Sequence, residues 1–225
     1  MTSDTSHNWG FSGFMPNVDG SVDGDIDGVT DFNGGRFGRL SIDGIATSKG
    51  AITADKLTVA GVFTCKDSIT AGHLECSGVA TIEGDLKAKN CVIDGVVNVI
   101  GSRIEADEVR CNGVLSIRGQ ISADVIRADG FINASEIVGD SISIHSRRSS
   151  FFFQLWLKLK ETVGAHDRSE VDLIEATTID LRGVKAREVN GHDVTIGEKC
   201  EIERVSATGR LIIDPSAKIG SAESR

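Results

Sequence analysis

The chain has 225 residues, with 33 acidic against 24 basic side chains and a formal net charge of -9 at neutral pH. A hydrophobic content of 40% excludes a wholly disordered chain, and the acidic balance argues against sequence-independent nucleic-acid binding, which needs Lys and Arg to neutralise phosphates. The longest dense apolar run, Phe151 to Leu159, falls far short of the roughly 20 residues of a membrane-spanning helix, and the opening residues MTSDTSHNWG lack the marks of an export signal, so the expected location is the cytoplasm.

Residues 1–35 show no repeat and read as a flexible Asp/Gly-rich tail, in which Trp9, Phe11, Phe14 and Met15 form a candidate partner-binding motif. Asp23-Gly24-Asp25-Ile26-Asp27-Gly28 matches the opening of a calcium loop, with carboxylates at alternate positions and a turn glycine. Gly34 stands where the closing bidentate Glu belongs, however, and no helix pattern flanks the loop. The expectation is therefore a solvated acidic linker and no metal site.

From residue 36 to 144 the chain repeats. Glycines at 44, 61, 78, 95, 113 and 130 are spaced 17, 17, 17, 18 and 17 apart, each at position 5 of a unit that begins at Leu40, Leu57, Leu74, Cys91, Val109 and Ile126. Position 3 holds Ile42, Val59, Cys76, Ile93, Cys111 and Ala128, and positions 13 and 15 pair Ile52 with Ala54, Ile69 with Ala71 and Leu86 with Ala88. All of these are odd positions. Period-two alternation inside a unit of nearly fixed length predicts short strands with one buried face, stacked like on like as a parallel β-helix with three short faces per coil. The glycines read as corner residues supplying backbone freedom, and the 18-residue unit places its extra residue between Gly101 and Ile104 as a bulged corner. Position 6, nominally outward, is apolar throughout: Ile45, Val62, Val79, Val96, Val114 and Phe131. Either the corner turns this column inward or the rod carries an exposed apolar stripe for lateral contact or for docking another segment. A polar ladder at position 8, from Thr47 to Asn133, ends the stripe.

Residues 145–170 break the pattern. In SSFFFQLWLKLKETV the polar residues Ser150, Gln154, Lys158 and Glu161 recur at helical spacing, which predicts one short amphipathic helix with a narrow polar stripe and a broad apolar face. Phe151, Phe152, Phe153, Leu155, Trp156 and Leu159 are its candidate contact residues, and Arg147, Arg148, Lys158 and Lys160 make it locally basic. The helix is expected either to cover an apolar side of the rod or to lie at a membrane surface. Over 171–225 the rod continues, with irregular coils over 171–193 and a clear register from Val194 and Ile196 to Leu211 and Ile213. The five cysteines, 65, 76, 91, 111 and 200, contain no Cys-x-x-Cys pair and fall at inward positions, so they read as reduced core residues.

Units such as LSIDGIATSKGAITADK and LTVAGVFTCKDSITAGH resemble the bactofilins, a bacterial family of polymer-forming cytoskeletal proteins, and the likeness extends over about residues 36 to 225 to RRSSFFFQLWLKLK and VTIGEKCEIERVSATGRLIIDPSAKIG. The resemblance implies a right-handed, three-faced β-helix that joins end to end into non-polar filaments without nucleotide and scaffolds cell shape, envelope or appendage assembly. Its implied partners are further copies of itself, together with the inner membrane surface or envelope and morphogenesis proteins. Edge physics points the same way, because an open terminal coil is a template for another chain. IIDPSAKIGSAESR is expected to form one such end, with Leu211, Ile213 and Ile219 near the joint.

Two other functions compete. A hexapeptide-repeat acyltransferase is also a β-helix, but His7, His73, His145, His166 and His192 share no column, and neither a phosphate-binding loop nor a Gly-x-Ser-x-Gly elbow is present. The expectation is no catalytic residue and no cofactor. The remaining alternative is a monomeric binding module whose flat faces present repeated side chains to a partner.

Overall fold

The computed structural model describes residues 6–8, 14–15, 18–146 and 169–224, with side chains described from residue 23. Among these residues the chain is all-β, a parallel β-solenoid of about 11 turns at roughly 17 residues per coil. The helix expected within 145–170 lies outside the described residues.

Every strand pairs in parallel with its counterpart one coil away. Ile52–Val59 lies between Gly35–Ile42 and Ile69–Cys76, with Leu40, Leu57 and Leu74 in one column, and Val62–Cys65 lies between Ile45–Ser48 and Val79–Ile82. Each regular coil turns three pairs of residues inward, as with Ile52 and Ala54, Leu57 and Val59, Phe63 and Cys65. Asp55 and Lys56, both exposed, break the parity between the first two pairs and let the chain turn there. The interior is a column of branched aliphatics, alanines and all five cysteines, each cysteine buried and unpaired. Near the lower end Phe32 stacks on Phe63 and meets Phe37 edge to face, with centroids 6.4 and 6.1 Å apart, filling a stretch whose neighbours are small.

The glycine column has a different cause from the one expected. None of Gly44, Gly61, Gly78, Gly95, Gly113 and Gly130 adopts a left-handed φ, which among described glycines is confined to Gly34, Gly35 and Gly183. The requirement is vertical clearance: a Cβ on Gly61 would lie 1.9 Å from the Gly44 carbonyl oxygen, and one on Gly95 2.0 Å from that of Gly78. At this corner two successive amides share one carbonyl below, Asp94 N and Gly95 N both donating to Cys76 O at 2.9 Å. The coils approach there more closely than any side chain allows.

Two stretches depart from the 17-residue period. The tail expected over 1–35 is in its upper part rod: Val18–Ile26 and Val29–Phe32 pair with Gly35–Ile42 and Ile45–Ser48, and Ile26 and Phe32 are buried. Ile26 sits under Ile42, a spacing of 16 rather than 17, with a register shift below it, and that broken period hides the coil from a search at fixed length. Residues 171–193, expected as irregular coils, depart from the 17-residue period. Ser169–Arg182 and Val184–Ile196 form long continuous strands in a coil of 15, Ile174 under Val189 and Ile179 under Val194, with tighter corners. One such corner uses the left-handed Gly183. The extra residue of the 18-residue coil lies between Val99 and Ile104, since Val99 pairs with Ile82 at 17 and Ile104 with Leu86 at 18.

Candidate functional site

The last coil forms the first candidate surface. Leu211–Ile213 and Lys218–Ser224 pair with the coil below, through Val194–Ile196 and Glu201–Ala207, and have no strand on the other side among the described residues. Leu211, Ile213, Ala217 and Ile219 continue the inward columns but are only partly buried, whereas Val194, Ile196, Cys200 and Ile202 directly beneath are fully buried. The three residues singled out from the sequence, Leu211, Ile213 and Ile219, therefore lie together on the last described coil.

The position-6 stripe points away from the main core. Val96, Val114 and Phe131 pack on one another and on Val79 as a separate apolar group. Their exposures run in order along the rod: 58% at Val29, 52% at Ile45 and 45% at Val62, then 8% at Val96 and 2% at both Val114 and Phe131. The candidate contact residues Phe151, Phe152, Phe153, Leu155, Trp156 and Leu159 lie outside the described residues.

Position 8 carries a second ladder. Its lower rungs, Thr47, Thr64, Thr81, Asn98, Ser116 and Asn133, are neutral; above them it alternates Glu170, Lys185, Glu201 and Lys218. Lys185 Nζ donates to Glu170 at 3.1 Å, and Lys218 Nζ to Glu201 at 2.9 Å. This face lines an open groove of about 1410 Å³ running from Asn98 to Lys218. Other ion pairs climb the outside in the same coil-to-coil manner. Glu105 accepts from Lys87 of the coil below and from Arg103 on its own strand, and those two hydrogen bonds hold its carboxyl below the ordinary range.

Two clusters of polar groups bear on the catalytic and metal alternatives. His145 Nε2 lies 3.0 Å from Asp180 Oδ2 and 3.4 Å from Ser143 Oγ. Both partners meet the same ring nitrogen, so the trio cannot pass a proton from serine through the ring to the carboxylate as a hydrolytic triad does. Asp180 is 35 residues away across the interruption, and no sequence signal joined them. The second cluster brings Asp25 and Asp27 beside Asp43 of the next coil, with carboxylate oxygens within 4.8 Å of one another and all three residues exposed. Asp43 also accepts from Ser41 Oγ. The sequence placed Asp25 and Asp27 together but not Asp43, because the missed coil supplies that neighbour.

The cysteines are buried thiols. Desolvation pushes Cys76 and Cys91 up to about 12 and raises Cys111 further, which suits packing and opposes thiolate chemistry. No helix of the described residues is long and apolar enough to cross a membrane.

Comparison with known proteins adds one partial likeness. No family model matches the chain, and no solved structure matches it. A stretch of 48 residues, 21% of this chain, is 44% identical to the uncharacterized protein YhbE of Bacillus subtilis (strain 168) and spans about a fifth of that protein, 20% of its length.

Proposed function

We propose that this chain is a structural subunit that joins copies of itself end to end into filaments without nucleotide. In this reading it is a bacterial cytoskeletal scaffold of the bactofilin kind, built as a right-handed, three-faced β-helix. It works in the cytoplasm, at the inner face of the membrane, in cell shape, envelope or appendage assembly. One observation carries the reading: among the described residues, the coil of Leu211–Ile213 and Lys218–Ser224 presents an unpaired strand edge together with the partly exposed Leu211, Ile213 and Ile219. A second copy in the same register would bury the remainder of these side chains, at up to about 1.5–3 kcal/mol for each one fully covered, and would pair the open backbone groups.

Electron microscopy with sedimentation velocity tests this. The expected result is filaments in nucleotide-free buffer, and shorter, folded species when Leu211 or Ile213 is replaced by Lys. Filaments unchanged by Leu211→Lys refute the joint. Discrete trimers point to the transferase alternative, and single rods to a binding module. The charged, open groove beside Glu170, Lys185, Glu201 and Lys218 is the observation that favours that last reading, for an extended partner carrying both signs of charge.

A further inference from the structure

We propose that the face lining the open groove docks a second copy of this chain side by side, the two rods running in opposite directions about a two-fold axis between the levels of Asp172 and Arg187. Two columns stand out from this face, position 8 and the next outward residue, position 10. Their charges keep the same phase: Glu170 and Asp172 share one level, Lys185 and Arg187 the next, Glu201 and Glu203 the one above. The columns differ in how those charges are answered. At position 8 the rod answers itself, Lys185 donating to Glu170 at 3.1 Å and Lys218 to Glu201 at 2.9 Å. At position 10, Asp172, Arg187 and Glu203 are exposed and enter no ion pair among the described residues, and the same holds for Arg118, two levels below Asp172 with Ser135 between them. A row of signs, plus, neutral, minus, plus, minus, therefore faces outward without a counterpart.

Spacing selects the partner. The row repeats at about 4.8 Å, the distance between levels of a parallel sheet. Side chains on one side of an extended strand recur at about 6.6 Å, and one turn of a helix takes about 5.4 Å. Over the four intervals from Arg118 to Glu203 a helix runs about half a level out and a strand more than one level, so either ends with wrong signs in contact. Another β-solenoid keeps pace throughout, and this chain itself carries the complementary row. Sign selects the direction. Parallel copies docked at equal heights would set each acidic level against an acidic one and each basic level against a basic one. Reversing one copy sets Asp172 against Arg187 of the other and Glu170 against Lys185, each pair formed twice by symmetry. Glu203 then meets the neutral Ser135, and Arg118 meets Gly220, so no like charges oppose along the column. The pairing needs no end-to-end joint and applies to single rods and filaments alike.

Sedimentation velocity of the full chain at about 50 mM salt tests it, with electron microscopy to show the side-by-side pairs. Pairs are expected both in the unaltered chain and in Leu211→Lys, which separates this contact from the end-to-end joint. Asp172→Arg and Arg187→Asp should each weaken the association at least about tenfold by setting like charges together, and the two combined should restore it to within about threefold, a rescue that a role in folding would not give. About 0.5 M salt should dissolve the pairs. Direction is read by crosslinking, since all five native cysteines are buried and give little background. Ser135→Cys on one copy should join Glu203→Cys on another through a short bismaleimide, and neither variant should join to itself. Unpaired rods at every concentration, pairs lost in Leu211→Lys, pairs indifferent to either charge reversal, a double exchange that fails to rescue, or Ser135→Cys joining to itself each overturn the proposal.

Discussion

Replacing Gly95 by Ala tests the clearance argument for the glycine column. The new Cβ would lie 2.0 Å from the Gly78 carbonyl oxygen and 2.6 Å from the Ser77 carbonyl, in backbone that cannot swing aside. Relief to the shortest tolerable contact requires the coils to part by about 1 Å, which stretches Asp94 N and Gly95 N to Cys76 O and Val96 N to Gly78 O beyond hydrogen-bonding range from 2.9 Å. Three lost backbone bonds at about 0.5–1.5 kcal/mol each give about 2–4 kcal/mol. With a urea dependence of about 2 kcal/mol per molar, the denaturation midpoint followed by far-UV circular dichroism falls by about 1–2 M. Gly209→Ala is the control: the nearest atoms to its Cβ belong to the ring of exposed His192, which can move, so its midpoint should stay within about 0.5 M. Equal midpoints for the two variants refute the reasoning.

The buried thiols make stability depend on alkaline pH. Cys76 and Cys91 are held near 12 in the folded rod against an ordinary value of 9.0, so their contribution is complete below about pH 9 and is lost as pH rises toward 12 while the unfolded chain ionises. Urea midpoints at pH 8 and pH 10 should show the decline, and Cys91→Val should flatten it. Ser169→Ala removes a fully buried hydroxyl beside the interruption and strands the Ile132 amide, at a cost of about 1–3 kcal/mol in a thermal or urea melt. An unshifted melt would mean that the amide has another acceptor.

The parts of the fold legible in the sequence were those in which chemistry repeats at fixed length. Leu40 to Ile126 at position 1, the inward cysteines and the extra residue before Ile104 all follow from alternation and counting. The lower coils escaped because Ile26 lies 16 residues before Ile42 and because Gly24 stands under Leu40, where a branched residue was expected. The coil of 15 through Val184 and Val189 escaped for a related reason, its corners having shed residues without altering the inward columns. Position 6 could not be resolved by parity alone, since at a corner an even position can face either way; the column lies apart from the main core and runs from exposed at Ile45 to buried at Phe131. Pairs such as His145 with Asp180 depend on how the chain resumes after the interruption, which no local pattern encodes.

That resumption makes the alternating charges above Asn133 informative in another way. Each coil after Ser169 must stack in step with the next, and branched side chains of similar size tolerate a displacement by one level almost as well as the correct placement. Alternating signs do not. Moving Val184–Ile196 up or down by a single level would set Lys185 against Lys218, or leave Glu170 facing Glu201, and each clash would stand where an attraction belongs. The upper rungs thus act as a parity check, rejecting slips between successive coils that greasy surfaces alone would accept.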